Sequence, residues 1–162
     1  MTITLGERIP AAVLVTRDAA GQHDMVMPEA LKGRTVVIFG VPAAFSGTCT
    51  SAHVPSFIRT KAKLMAKGVD EIICVSVNDS HVMQAWGQAT GANAAGITMA
   101  GDVDASFTTA IGMDYPAKFA RGQARSDRYA MLVVDGVVKV LNKEDTTGAC
   151  NISAGEGLLE AM

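Results

Sequence analysis

Cys49 closes the stretch Val41-Pro42-Ala43-Ala44-Phe45-Ser46-Gly47-Thr48-Cys49, directly after the apolar run Thr35 to Gly40 and directly before a segment of helical character. The run reads as a buried strand, the Pro, Ser, Gly and Thr cluster as a turn, and the chain from Thr48 onward as a helix. Cys49 therefore falls in or near a first helical turn. Free amide N–H groups and the positive end of the helix dipole favour a thiolate there, and the thiolate is the nucleophilic form of cysteine. Cys49 is a candidate nucleophile. A helix terminus contributes only about 0.3–1 kcal/mol, up to ~2 when partly buried, whereas raising an ionised fraction from a few per cent to nine-tenths at pH 7 takes roughly 3.4 kcal/mol. A hydroxyl donor and a cation should converge on the same sulfur. Ser46, three residues upstream, is the nearest donor, and the cation has to come from elsewhere in the chain.

The elements that must position these groups follow from length and pattern. At 162 residues the chain reads as a single domain over residues 1–162 with room for a real core. Hydrophobic residues make up 49% and charged residues 19%, a globular composition. The net charge of −2 and the lack of a basic stripe argue against nucleic-acid or anionic-membrane partners. Three cysteines with no close pair and no Cys/His cluster at ligand spacing argue against a disulfide scaffold and a structural zinc site. Glu7, Arg8, Arg17 and Asp18 interrupt the N-terminal segment, so neither a signal peptide nor a membrane span is read there and a cytoplasmic location is the expectation.

Along the chain, Ala11 to Thr16 and the area of Met25 to Met27 predict short strands around Gly21. Thr35 to Gly40, Glu71 to Val77 and Gly96 to Ala100 predict buried strands. Between them, Val54, Phe57, Ile58 and Met65 mark the inner face of a helix ended by Gly68, with Lys61 and Lys63 toward solvent. Pro55 predicts a kink near residues 51–55. Ser80 to Gly91 predicts a second helix on Val82, Met83 and Trp86, and Ala105 to Ile111 a short one. Tyr129 to Val134 and Val137 to Leu141 flank Asp135-Gly136, a tight-hairpin signal. Ser153 to Met162 predicts a closing helix with Ser153 and Glu156 in capping-box spacing. A parallel βαβαβ run, a hairpin and a terminal helix point to a thioredoxin-like α/β fold, a central mixed sheet flanked by helices.

The segment Phe39 to Cys49, followed by His53-Val54-Pro55-Ser56-Phe57, resembles the peroxidatic-cysteine motif of peroxiredoxins, specifically the peroxiredoxin-5 (type II, redoxin) subfamily. Val75 to Asp79, Val82 to Gly87 and Arg128 to Val138 resemble the same subfamily in the same order, so the likeness spans nearly the whole chain. It carries the motif Pro-x-x-x-Thr/Ser-x-x-Cys onto Pro42, Ser46 and Cys49, and the family's active-site arginine onto Arg128. The resemblance implies a thiol-dependent peroxidase acting on hydrogen peroxide and organic hydroperoxides. In it Cys49 attacks oxygen, Ser46 and Arg128 orient the peroxide and stabilise the leaving oxygen, and Pro42 shields the thiolate. Cys49 would become a sulfenic acid, regenerated by a glutathione/glutaredoxin or thioredoxin system without metal, haem or flavin. A homodimer formed through loops flanking the active site is also implied.

Cys150, in the small-residue loop Thr147 to Asn151, resembles the resolving cysteine of atypical two-cysteine members. The competing reading is a one-cysteine enzyme reduced directly by glutathione or glutaredoxin. Two positions depart from the family pattern: Ser46 stands where threonine is commoner, keeping the hydroxyl without the methyl that fixes its rotamer, and Ala43 stands where glycine is commoner. Cys74, inside an apolar strand, reads as inert core. Arg125 reads as surface, Trp86 as core or dimer interface, and His23 and His81 as surface or capping residues. His53 reads as paired to a backbone carbonyl in its helix and not as catalytic. A thiol–disulfide oxidoreductase is disfavoured because Thr50, Ser51 and Ala52 follow Cys49 in place of Cys-x-x-Cys. A non-enzymatic redox sensor is the remaining alternative.

Overall fold

The computed structural model describes residues 1–162. Strands β1 (Ala12–Asp18) and β2 (Gly21–Met27) form a hairpin, and β3 (Thr35–Gly40) leads into the Cys49 loop. Helix α1 (Val54–Ala66), β4 (Glu71–Ser76), α2 (Ser80–Thr90) and β5 (Thr98–Gly101) complete the alternating run. A short α3 (Ser106–Ala110) precedes β6 (Asp114–Pro116) and β7 (Ala124–Ser126), and β8 (Tyr129–Val134), β9 (Val137–Lys143) and α4 (Gly155–Ala161) close the chain. One seven-stranded sheet has the order β2-β1-β5-β4-β3-β8-β9. The pairs β3/β4 and β4/β5 are parallel, while β8 runs antiparallel to β3 and β1 antiparallel to β5. The sheet is mixed, as expected. None of the helices is long and apolar enough to cross a membrane.

The strands alternate sides as a period of two requires. Val36, Ile38, Ile73, Val75, Tyr129 and Met131 pack into one apolar cluster. Val37, Phe39, Ile72, Cys74 and Ala130 pack into another, which also holds Cys49, Val54, Phe57 and Trp86. Buried on both faces, the central strands lose the polar alternation of a one-sided sheet and read as near-continuous apolar runs.

Several local expectations need correction. Near Pro55 the helical run is irregular, within the region where a kink is expected: residues Cys49–His53 form a π-helical turn in which the Val54 amide donates to the Cys49 carbonyl, and Pro55 is the second residue of α1. Ser153 does not cap α4: the preceding residue is Ala154, the Ser153 hydroxyl donates to Glu144 at 2.8 Å, and Glu156 pairs with Arg59 at 2.8 Å. The first turn of α4 is served from another element, since the Ser56 hydroxyl accepts the Gly155 amide at 2.9 Å. Lys61 is half-buried and donates to the Ala95 carbonyl. The small β6/β7 ribbon was not legible, since each strand has only three residues. The hairpin between β8 and β9 is as expected. Asp135 and Gly136 both have positive φ, 47° and 78°, the two left-handed residues that a type I′ turn needs.

Candidate functional site

Strand β3 ends at Gly40 and releases the chain into the loop that carries Pro42 and Ser46 to Cys49. The left-handed residue of this loop is Phe45, with φ 64°, and Ala43 is not among the positive-φ residues. The methyl that replaces the family's glycine is therefore accommodated without backbone strain. Phe45 turns outward, and the chain re-enters the protein at the π-helical turn beginning with Cys49, whose side chain is fully buried.

Two donors reach the sulfur. The Ser46 hydroxyl lies 2.8 Å from Cys49 Sγ and 2.9 Å from the Ala43 carbonyl, so its one proton has two acceptors and goes to the sulfur when that atom is anionic. Nη2 of Arg128 donates to Cys49 Sγ at 3.1 Å. Arg128 ends the approach to β8, whose alternation sends Tyr129 to the opposite cluster and Ala130 to that of Cys49. That parity puts the arginine on the cysteine's side of the sheet.

Arg128 is only 2% exposed, and no carboxylate pairs with it: the ion pairs are His23–Asp18, Arg34–Glu71, Arg59–Glu156 and Lys143–Asp127. Its other bonds are to neutral acceptors. Nε and Nη2 donate to the Thr147 carbonyl at 3.1 and 3.0 Å, and Nη1 donates to Nδ1 of His53 at 3.0 Å. A buried cation is costly unless an anion accompanies it. Among its partners the Cys49 sulfur is the one atom able to carry a negative charge.

His53 is fully buried beside the site, and its bond to Arg128 was not among the sequence expectations, which gave it a backbone carbonyl partner and no catalytic part. Its Nε2 lies 2.9 Å from the Ser153 carbonyl, a backbone partner as expected but one from the loop before α4, not from its own helix. A guanidinium cannot accept and a carbonyl cannot donate, so Nδ1 is bare and Nε2 carries the proton. Burial, and next the Arg128 charge, drive the pKa of His53 down to about 3, opposed by the Ser153 carbonyl. The signal available in sequence was its place on the Cys49 helix, four residues on and so one turn away.

Behind His53 lies Glu144, whose Oε1 accepts from the amides of Asn151 and Ser153 and from the Ser153 hydroxyl, at 2.6, 2.9 and 2.8 Å. Burial opposes the Glu144 charge, but those bonds and the field of Arg128 outweigh it and hold the carboxyl below its ordinary range. Glu144 thereby pins the segment next to Cys150. Cys150 is a half-buried free thiol pushed up by burial, against a Ser153 hydrogen bond and the Arg128 charge. Cys74 is fully buried in β4, and burial likewise raises its thiol.

A cavity of about 270 Å³ is lined by Pro42, Ser46, Thr48, Arg128 and Thr147, with the aromatic rings of Tyr115 and Phe119 on its wall. Both side chains that bond Sγ line it, and the buried Cys49 sulfur lies behind them. Pro42 is buried and occupies the wall where a shield was expected. Arg125 points elsewhere: it is half-buried and Nη1 donates to the Val77 carbonyl, which corrects its reading as a solvated surface charge. Trp86 is core, fully buried with Nε1 donating to Thr50 at 3.0 Å. His23 pairs with Asp18 at the surface. Chemically, the site presents a sulfur with two aligned donors in a confined hollow, an arrangement suited to attack on a small polar bond whose leaving oxygen gathers negative charge.

Known proteins resemble this chain over nearly its whole length. The redoxin family model matches residues 4–159. Chloroplastic peroxiredoxin-2E-2 of Oryza sativa subsp. japonica is 42% identical over 165 residues, spanning 99% of this chain and 73% of that protein. The crystal structure of reduced Prx3 from Vibrio vulnificus in complex with H2O2 is 43% identical with a TM-score of 0.91, covering 99% of both chains. Peroxiredoxin 5 from Alvinella pompejana is 27% identical with a TM-score of 0.84, covering 98% of this chain and 97% of that one. With the family model matched over nearly its full length, this chain belongs to the redoxin family and is a type II, peroxiredoxin-5-like peroxiredoxin, a thiol-dependent peroxidase.

Proposed function

We propose that Cys49 is the peroxidatic cysteine, with Ser46 and Arg128 as its catalytic partners and Pro42 as the wall that keeps bulk water from the sulfur. The observation that carries this reading is the Arg128 Nη2 to Cys49 Sγ bond of 3.1 Å made by a buried guanidinium with no carboxylate partner. The thiolate attacks the near oxygen of a hydroperoxide ROOH. An S–O bond forms, the O–O bond breaks, and RO⁻ leaves and takes up a proton to give ROH and the Cys49 sulfenic acid. Arg128 and Ser46 lie where they can align both oxygens and stabilise the departing one.

A thiol then condenses with the sulfenic acid, releasing water and forming a disulfide, and a second thiol opens it. We assign the reducing thiol to a glutathione/glutaredoxin or thioredoxin system. Cys150 is the internal alternative, and its neighbourhood is tied down: Arg128 holds the Thr147 carbonyl, Thr48 donates to the Gly148 carbonyl at 3.1 Å, and Glu144 holds the amides of Asn151 and Ser153. Those bonds favour an external thiol as first partner. The exposed rings of Phe45 and Phe119, the first in the Cys49 loop and the second on the cavity wall, support a homodimer formed around the active-site mouth. Sedimentation tests that assembly.

Substituting Cys49→Ser abolishes peroxide turnover while the circular dichroism spectrum stays that of the parent. Mass spectrometry after one equivalent of peroxide with glutathione present yields a Cys49–glutathione adduct with Cys150 free. A Cys49–Cys150 disulfide in its place assigns resolution to Cys150.

A further inference from the structure

Strand β9 ends at Lys143, and its ladder runs one residue further, since the Glu144 amide donates to the Arg128 carbonyl at 3.0 Å. Asn142 and Glu144 are two residues apart, so they share a side of this strand end, and both bond the irregular loop that holds Cys150. Asn142 Nδ2 donates to the Ile152 carbonyl at 2.8 Å, and Oε1 of Glu144 accepts from the Asn151 and Ser153 amides and from the Ser153 hydroxyl. The other end of the loop is held at the site itself. Thr48, next to Cys49, donates to the Gly148 carbonyl at 3.1 Å, and Arg128 donates to the Thr147 carbonyl. Cys150 thus stands between two clamps, one beside Cys49 and one on the end of β9. Two residues of chain from Gly148 reach about 7 Å, and a disulfide needs Cα atoms roughly 4.4–6.8 Å apart. A loop freed at its β9 end and still held at Gly148 can therefore carry Cys150 to the cysteine next to Thr48.

We propose that Glu144 is a positioning residue that decides which thiol resolves Cys49: by holding Asn151 and Ser153 it withholds Cys150 from the Cys49 sulfenic acid and leaves that acid to an external thiol. The inference rests on the roles given above to Cys49 and to the external reductant. Glu144 is buried and takes part in none of the ion pairs, so the loop supplies the hydrogen bonds that its carboxylate accepts. Bonds to an ionised acceptor are stronger than neutral ones, and here three converge on one oxygen. Their effect falls on resolution and not on the peroxide step, because Glu144 neither bonds the Cys49 sulfur nor lines the cavity. With the bonds removed, the Cys150 sulfur attacks the Cys49 sulfur. An S–S bond forms, the S–O bond breaks, and the hydroxyl leaves as water with the thiol proton.

The test oxidises the full chain with one equivalent of hydrogen peroxide, without added thiol, and follows the Cys49–Cys150 disulfide by mass spectrometry of quenched samples. In the parent, Cys49 carries one added oxygen and the internal disulfide forms slowly. Glu144→Ala removes all three acceptor bonds and forms the disulfide at least about tenfold faster, while Glu144→Gln, which keeps the shape without the charge, lies between. The second-order rate constant with peroxide, read by stopped flow, stays near the parental value in both, which a loosened fold would not allow. The proposal is overturned if both variants form the disulfide at the parental rate, if the disulfide that appears joins Cys49 to Cys74, or if peroxide reactivity falls as far as disulfide formation rises. The near-isosteric Gln variant decides the matter even if Ala does not fold. A parent that closes Cys49–Cys150 as fast as the Ala variant removes the external-thiol assignment and this inference with it, and a parent whose Cys49 stays unmodified by peroxide removes the peroxidatic assignment as well. Variants at the parental rate beside a parent that rests at the sulfenic acid remove this inference alone.

Discussion

The two faces of the sheet bury apolar clusters of equal size, seventeen residues each, but treat their polar groups differently. On the face of Ile38, Val75 and Met131, the Tyr129 hydroxyl is fully buried without a hydrogen-bond partner, and the Thr108 hydroxyl, next in the chain to Phe107 of that cluster, has none either. On the face of Cys49, the side chains of His53, Ser56, Thr60, Arg128, Glu144 and Ser153 all have partners, linked from the Cys49 sulfur through Arg128 and His53 to Ser153 and Glu144. Apolar packing fixes the sheet from both sides. A saturated polar chain appears where a charge has to be held at a defined place, because in a low-dielectric interior an unmatched group there would cost more than the site could return.

The strongest way to break this contrast is to remove the charge at the site. Arg128→Met takes away the donor aimed at the reacting sulfur and lowers the second-order rate constant with peroxide by about 10²–10³-fold, as loss of one preorganised charge-stabilising donor does elsewhere. Stopped-flow fluorescence measures it, and a loss of less than about threefold would remove the arginine from the mechanism.

Acid sharpens the contrast. The folded state keeps His53 neutral down to about pH 3, while the unfolded chain protonates it near pH 6.5. Between those values the unfolded state binds the extra proton, so stability is fully present above pH 6.5 and falls as pH drops, by up to about 1.4 kcal/mol per pH unit from this group. Glu144, held below its ordinary range, adds loss in the same direction at lower pH. Urea titrations between pH 7 and pH 5 show the slope, and His53→Phe lacks it. A parental slope in that variant would place the acid sensitivity elsewhere.

The smallest effect belongs to the other face. Tyr129→Phe deletes a buried hydroxyl that bonds nothing and leaves the packed ring, so unfolding free energy changes by no more than about 0.5 kcal/mol or rises. A loss above about 1.5 kcal/mol would show that this face also carries a working hydrogen bond.

Much of this arrangement is local enough to read from the chain. The run Thr35 to Gly40, the Pro42 to Cys49 loop and the Asp135-Gly136 turn declare strand, bend and hairpin through hydrophobic period and turn chemistry, and each is found in place. Ser46 sits three residues before Cys49 on a tight bend, so its reach to the sulfur was a short-range inference. What escaped has a common cause. The Arg128–His53 and Ser153–Glu144 bonds span 75 and 9 residues, and nothing in a composition or period marks them. Ser153 and Glu156 have the spacing of a capping box, yet Glu144, Ser56 and Arg59 are the partners that tertiary contact supplies. Pro55 marked an irregular stretch of helix, but that it takes the form of a π-helical turn over Cys49–His53 is visible only in the fold.

The sequence by itself determined the element order, the two-sided core and the nucleophile's place at a strand-to-helix bend, because periodicity and turn residues act over a few positions. The resemblance named Arg128 as the partner of Cys49; only the tertiary structure showed the bond between them, the His53 nitrogen at the far corner of the guanidinium, and Glu144 anchoring the segment beside Cys150. Those are electrostatic decisions among groups far apart in the chain, made when burial removes water as the alternative partner.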